Sequence, residues 1–180
     1  MSEFMVSYLI LWVVVLVLGQ QVLRSFQESK RTAQSPVAAL GGTDLGLDYG
    51  APIPVTDFRA LDDSTLSLLR QDGGRSVLVF LSTTCPACRT LSPSLSTIMV
   101  QHNDVAFLIL LAGERSELRE FVERTGIPER VVIPTTIPEM RDVLGLRYYP
   151  FAYVIAHDGR VAAKALVANE EHFAQLLGRS

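Results

Sequence analysis

The sequence predicts an α/β fold on the strength of three observations. Continuously apolar runs at residues 76–81 and 105–111 have the length and composition of strands covered on both faces. Apolar residues at helical spacing follow each run: Leu91, Leu95, Ile98 and Met99 after the first, Leu118, Phe121 and Val122 after the second. Farther along, two β-rich runs flank Asp158-Gly159, a dipeptide that strongly signals a tight hairpin. Strands alternating with amphipathic helices put the helices on the faces of a sheet.

The elements follow in chain order. Residues 4–23 contain no charged side chain, and a helix of about 20 residues rises roughly 30 Å, the thickness of a bilayer's hydrocarbon core. This segment is predicted to be a transmembrane helix. A cleaved signal peptide would want a basic start and a small-residue cleavage site; here Glu3 precedes the run and Gln20-Gln21-Val22-Leu23-Arg24 ends it. Residues 24–50, rich in Ser, Gln, Ala, Gly and Thr, read as a linker, with Arg24, Lys30 and Arg31 at the membrane interface. Residues 51–179 read as one folded domain. Within it come the strand 76–81, a helix after Cys88 that Pro93 should bend, the strand 105–111, and a helix closing near Gly126. A short strand at 131–133, a short helix at 139–144, paired strands at 151–156 and 161–167, and a last helix at 170–177 complete it. Phe151 and Tyr153 alternate as core positions, while Arg160 and Lys164 are expected to solvate a strand end and His157 to lie on the surface.

Composition excludes several functions. With 16 Lys+Arg against 19 Asp+Glu, a net charge of −3 and no dense basic run, the chain offers no field for a phosphate backbone, so nucleic acid is not an expected partner. Two cysteines three positions apart cannot build a disulfide framework. Half of a zinc ribbon has the same Cys-x-x-Cys, but zinc needs four ligands, and His102, His157 and His172 are scattered without ligand spacing. Neither a metal nor a cofactor is predicted.

Position gives the Cys85-Pro86-Ala87-Cys88 motif its meaning. It lies between a buried strand and an amphipathic helix, so Cys85 falls at a helix N-terminus, where unpaired N–H groups and the positive end of the dipole stabilise a thiolate. Cys85 is the expected nucleophile. Cys88, one turn on, faces the same side and is placed to attack a mixed disulfide formed at Cys85. Pro86 suits a first helical position because it has no N–H to leave unpaired. The rival for this pair is two inert core cysteines. Within enzymes the rival is a thiol peroxidase: Ser82 lies three residues before Cys85 where such enzymes place Thr or Ser, but Leu78 occupies the position of their proline. From another class, a tethered binding module could hold a client while the dithiol stays idle.

At these residues the chain resembles the thioredoxin-like family in its membrane-tethered branch. The resemblance covers about residues 51–179 through the strand–helix order, the Cys-x-x-Cys at the first helix, and Pro150 at the start of the penultimate strand. The stretches Phe80-Leu81-Ser82-Thr83-Thr84-Cys85-Pro86-Ala87-Cys88-Arg89-Thr90-Leu91 and Tyr149-Pro150-Phe151-Ala152-Tyr153-Val154-Ile155 are most similar to the methylamine-utilisation accessory proteins of the MauD type. The resemblance implies a thiol–disulfide oxidoreductase with a cis Pro150 against the dithiol. Tyr149 would offer backbone groups to an extended substrate, with Pro86 and Thr84 as flanking substrate-contacting positions. It further implies an extracytoplasmic domain, a redox partner, and as substrate an exported cysteine-containing protein. That substrate would be the methylamine dehydrogenase small subunit, or a wider set if the chain is a general reductase of the cytochrome c maturation type. Two departures stand out: Thr84 replaces the aromatic residue usual before the first cysteine, and Val79 replaces a buried acid on the preceding strand. Without that acid, proton transfer to and from Cys88 would come from water or from another group, such as Glu114 or Glu139 where the fold brings one near.

Overall fold

The computed structural model describes residues 46–178, together with Gln20. Apart from Gln20, the predicted span at 4–23 lies outside the described residues, as does the linker up to residue 45. Among the described residues no helix is long and apolar enough to cross a membrane.

A five-stranded sheet organises the domain in the order β5-β4-β3-β6-β7. Its centre is β3 (Ser76–Ser82), all seven residues of which are buried. On one side β3 pairs in parallel with β4 (Ala106–Ala112), which pairs in parallel with β5 (Val132–Thr135); on the other it runs antiparallel to β6 (Phe151–Ile155), itself antiparallel to β7 (Val161–Leu166). Four helices connect or close these strands: α1 (Pro86–Gln101), α2 (Arg115–Thr125), α3 (Ile137–Leu144) and α4 (Glu170–Leu177).

Strand alternation splits the core into two layers. Val77, Val79 and Leu81 join Ala152 and Val154 in a cluster with Leu91, Leu95 and Ile98 of α1, Leu118, Phe121 and Val122 of α2, and Phe173, Leu176 and Leu177 of α4. The alternate residues build the opposite layer, where Phe80 meets Tyr153 edge-on at 5.5 Å between ring centroids and Tyr153 meets Phe151 at 5.0 Å. Phe151 and Tyr153 are thus core residues, as their alternation predicts.

The chain runs helically through Pro93. Proline cannot donate to the carbonyl four residues back; the Ser92 hydroxyl donates to that Arg89 carbonyl instead, at 3.1 Å. The helix expected at 139–144 starts two residues earlier, because Thr136 caps it. The Glu139 N–H donates to the Thr136 hydroxyl, and the Thr136 N–H donates to the Glu139 carboxylate at 2.8 Å. A small antiparallel pair, β1 (Asp57–Arg59) and β2 (Thr65–Ser67), lies outside the five-stranded sheet.

Residues 46–50, read from composition as linker, are held against the sheet. The Leu47 N–H donates to the Tyr153 hydroxyl and Lys164 Nζ donates to the Leu47 carbonyl, both at 2.6 Å. The Gly50 N–H reaches the Val161 carbonyl at 2.8 Å and Arg160 reaches the Gly50 carbonyl at 2.7 Å. Lys164 is therefore half-buried rather than a solvating side chain, and burial lowers its ammonium pKa.

Candidate active site

The central strand delivers the chain to the C-terminal edge of the sheet, where a turn leads into α1. Cys85 is the N-cap of that helix, in extended conformation (φ −84, ψ 118), and Pro86 opens the first turn. The first turn carries no acidic residue to oppose an anion. The Cys88 N–H donates to Cys85 Sγ at 3.3 Å, and the Cys85 thiol faces the Tyr149 carbonyl at 3.8 Å.

The two sulfurs differ in access. Cys85 is half-buried, whereas Cys88 is fully buried in the cluster that holds Val79 and Leu91. Both are free thiols. Burial first, and the hydrogen bond to Cys85 second, push the Cys88 thiol pKa far above its ordinary value. Cys85 is therefore the sulfur open to the surface, and burial favours the protonated form of Cys88.

The Tyr149–Pro150 peptide bond is cis. The Tyr149 carbonyl faces Cys85, while the Tyr149 ring is half-buried with its hydroxyl 3.5 Å from the Leu146 carbonyl, and desolvation raises its phenol pKa. Tyr148 beside it is exposed, as are Pro86 and Thr84. The Thr84 hydroxyl is paired with that of Ser82 at 3.0 Å. Of the residues singled out in the sequence, Cys85, Cys88 and Tyr149 are brought together, with Pro86 and Pro150 joined to them through the backbone and Thr84 turned toward Ser82.

The two candidate proton carriers are occupied elsewhere. Glu139 serves the cap of α3, where the Thr136 N–H and the Thr135 hydroxyl hold its carboxyl below the ordinary range. Glu114 is the N-cap of α2, and neither carboxyl hydrogen-bonds to a thiol. Sequence reading missed Glu117, whose carboxylate accepts from the Thr83 hydroxyl at 2.9 Å, two residues before Cys85. Its only sequence signal is its place three residues after a helix start, which reads as capping. Among the described residues no group of three or more His, Cys, Asp or Glu side chains is placed to hold a metal.

No family model matches the chain. Two curated proteins named methylamine utilization protein MauD are similar to it. That of Methylophilus methylotrophus is 24% identical over 140 residues, covering 74% of this chain and 63% of its own length. That of Methylobacillus flagellatus is 28% identical over 141 residues, covering 74% and 64%. The chain thus spans slightly less than two thirds of these relatives. Among solved structures, a thioredoxin-family thiol:disulfide interchange protein from Chlorobium tepidum superposes with a TM-score of 0.59 at 18% identity, covering 73% of this chain and 97% of that one. The fold is thioredoxin-like.

Proposed function

We propose that this chain is a membrane-tethered thiol–disulfide oxidoreductase that acts through Cys85 and Cys88 on disulfides of exported proteins, in the maturation of methylamine dehydrogenase. The observation that carries the reading is the setting of Cys85. Its sulfur caps a helix, accepts the Cys88 N–H, and faces the carbonyl of a residue whose next peptide bond is cis.

In the reducing direction the Cys85 thiolate attacks one sulfur of a client disulfide. The S–S bond breaks, a mixed disulfide forms, and one client sulfur leaves as thiolate. Cys88 then loses its proton and attacks Cys85 Sγ, releasing the second client thiolate and closing a Cys85–Cys88 disulfide. The client gains two electrons and the protein loses two. The reverse sequence oxidises a client dithiol, and a membrane redox partner restores the starting state. An extended client segment pairs with backbone groups at Tyr149, beside Pro86 and Thr84, a mode that tolerates varied side chains. The apolar segment 4–23 serves as the anchor and the linker confines the dithiol to the neighbourhood of the bilayer, raising its effective concentration near exported chains.

Expressing Cys88→Ser in the native host, quenching thiols with acid and identifying proteins covalently linked to Cys85 tests the proposal. Recovery of the methylamine dehydrogenase small subunit supports it. Cytochrome c apoproteins or a broad set of exported thiol proteins would shift the reading to a general reductase, and an absence of partners with Cys85 reduced and exposed would sink it. The peroxidase alternative draws no support from Ser82, whose hydroxyl is engaged with Thr84, or from Leu78, which is buried within β3.

A further inference from the structure

We infer that Thr83 and Glu117 are positioning residues that set the turn presenting Cys85, an assignment that rests on the oxidoreductase reading and deepens it. All the backbone and side-chain polar groups of Thr83 are engaged, each with a different element of the fold. Its N–H donates to the Ala112 carbonyl at the end of β4 at 3.0 Å. Its hydroxyl donates to the Glu117 carboxylate of α2 at 2.9 Å, with the Ala112 carbonyl a longer alternative at 3.3 Å. Its carbonyl accepts from Arg89 Nε of α1 at 2.9 Å.

Thr83 is buried, so its hydroxyl needs a partner, and a carboxylate acceptor makes a stronger and more directional bond than a neutral one. Glu117 is itself fixed, because the same oxygen accepts the Glu114 N–H at 3.1 Å. The approach is close enough to exclude a side chain at Gly113: a Cβ there would lie 2.5 Å from Thr83 Oγ1 and 3.0 Å from the Glu117 carboxylate.

The turn spans little beyond this bracket. The Cys85 N–H returns to the Ser82 carbonyl at 3.2 Å, so Thr83 lies inside the loop that aims the Cys85 sulfur at the Cys88 N–H and the Tyr149 carbonyl. Thr84, adjacent to Cys85, is exposed and bonds only within the turn. The structure therefore holds the turn with a polar bracket from α1, β4 and α2.

The test compares Thr83→Val, Thr83→Ser and Glu117→Gln in the full chain. It measures the rate of Cys85 alkylation by a neutral reagent at fixed pH, the rate of exchange with a disulfide peptide, and the thermal midpoint. Loss of one hydrogen bond's worth of positioning should slow Cys85 alkylation and exchange in Thr83→Val about fivefold. Glu117→Gln should slow both in the same direction by less, and Thr83→Ser, which keeps the hydroxyl, should react at nearly the original rate. Unchanged alkylation in Thr83→Val and Glu117→Gln would overturn the assignment even if both melt earlier, and so would failure of Thr83→Ser to restore the rate. If Thr83→Val does not fold, Glu117→Gln, altered at an exposed helix position, decides alone. Should the unmodified chain alkylate at Cys85 yet exchange no disulfide, the oxidoreductase reading falls while alkylation still judges the positioning.

Discussion

The backbone N–H of Cys88 points at the sulfur of Cys85 across 3.3 Å, so the residue that supplies the second thiol also supplies a donor to the first. One turn of helix thereby ties an accessible sulfur to a sealed one. Burial opposes charge on Cys88, whose thiol pKa it raises, while Cys85 is the sulfur left partly open to solvent.

That asymmetry predicts the order of reaction. Limited alkylation of the reduced protein, followed by mass spectrometry, should label Cys85 first. Cys85→Ser should abolish disulfide exchange, whereas Cys88→Ser should leave a reactive thiol that accumulates mixed disulfides. Faster labelling of Cys88 would reverse the assignment.

Stability of the reduced form should fall at alkaline pH because of the same burial. The folded-state pKa of Cys88 is raised, so above the ordinary thiol pKa of about 8.5 the unfolded chain releases a proton that the native protein retains. With fewer protons bound in the unfolded state, stability drops as pH rises. Tyr153, pushed up to about 12 by burial, has the same sign at higher pH. The comparison is therefore with Cys88→Ala, which shares Tyr153. Urea unfolding from pH 7 to 10 should show a smaller decline for that variant, and parallel curves would contradict the burial argument.

How much was legible in the chain depends on the range of the interactions involved. Strands β3 and β4 announce themselves because burial on both faces demands unbroken apolar runs, and Asp158-Gly159 marks its hairpin through local turn chemistry, with Gly159 at φ +78. The two cysteines are readable because spacing and the strand–helix junction are local. Strands β1 and β2 are only three residues each with exposed ends, too short for periodicity to register. The attachment of Leu47 depends on Tyr153 and Lys164, more than a hundred residues away. Thr83 and Glu117 meet across 34 positions. The cis bond at Pro150 entered only through family resemblance, since no local feature of Tyr149-Pro150 demands it.

The clamp on Leu47 gives a third prediction. Tyr153→Phe removes the acceptor of the Leu47 N–H and the donor to the Leu144 carbonyl, which lies at 3.1 Å. Leaving such groups without partners costs about 1–3 kcal/mol. Gly46→Ala should be at least as damaging, because Gly46 has φ +73 and a Cβ there would lie 1.8 Å from the Tyr153 hydroxyl oxygen. Chemical denaturation should register both losses, with Cys85 alkylation unchanged in the folded variants. A Tyr153→Phe variant as stable as the parent would show that the clamp contributes nothing net.

For the proposed tether, two lines of reasoning give opposite orientations. Arg24, Lys30 and Arg31 follow the apolar segment 4–23, while the acidic Glu3 lies just ahead of it. By the positive-inside tendency that arrangement keeps the domain on the cytoplasmic side. The chemistry proposed for Cys85 and Cys88 argues for the other side, since stable disulfides on which an exchange enzyme can act accumulate in oxidising compartments. Flanking charges bias orientation without dictating it, and large domains translocate largely regardless of charge. We therefore predict that the domain faces the extracytoplasmic side. A single cysteine introduced at Ser35 of a chain carrying Cys85→Ser and Cys88→Ser should react with a membrane-impermeant maleimide on intact cells. Labelling confined to lysed cells would place the domain in the cytoplasm and remove exported proteins from its substrates.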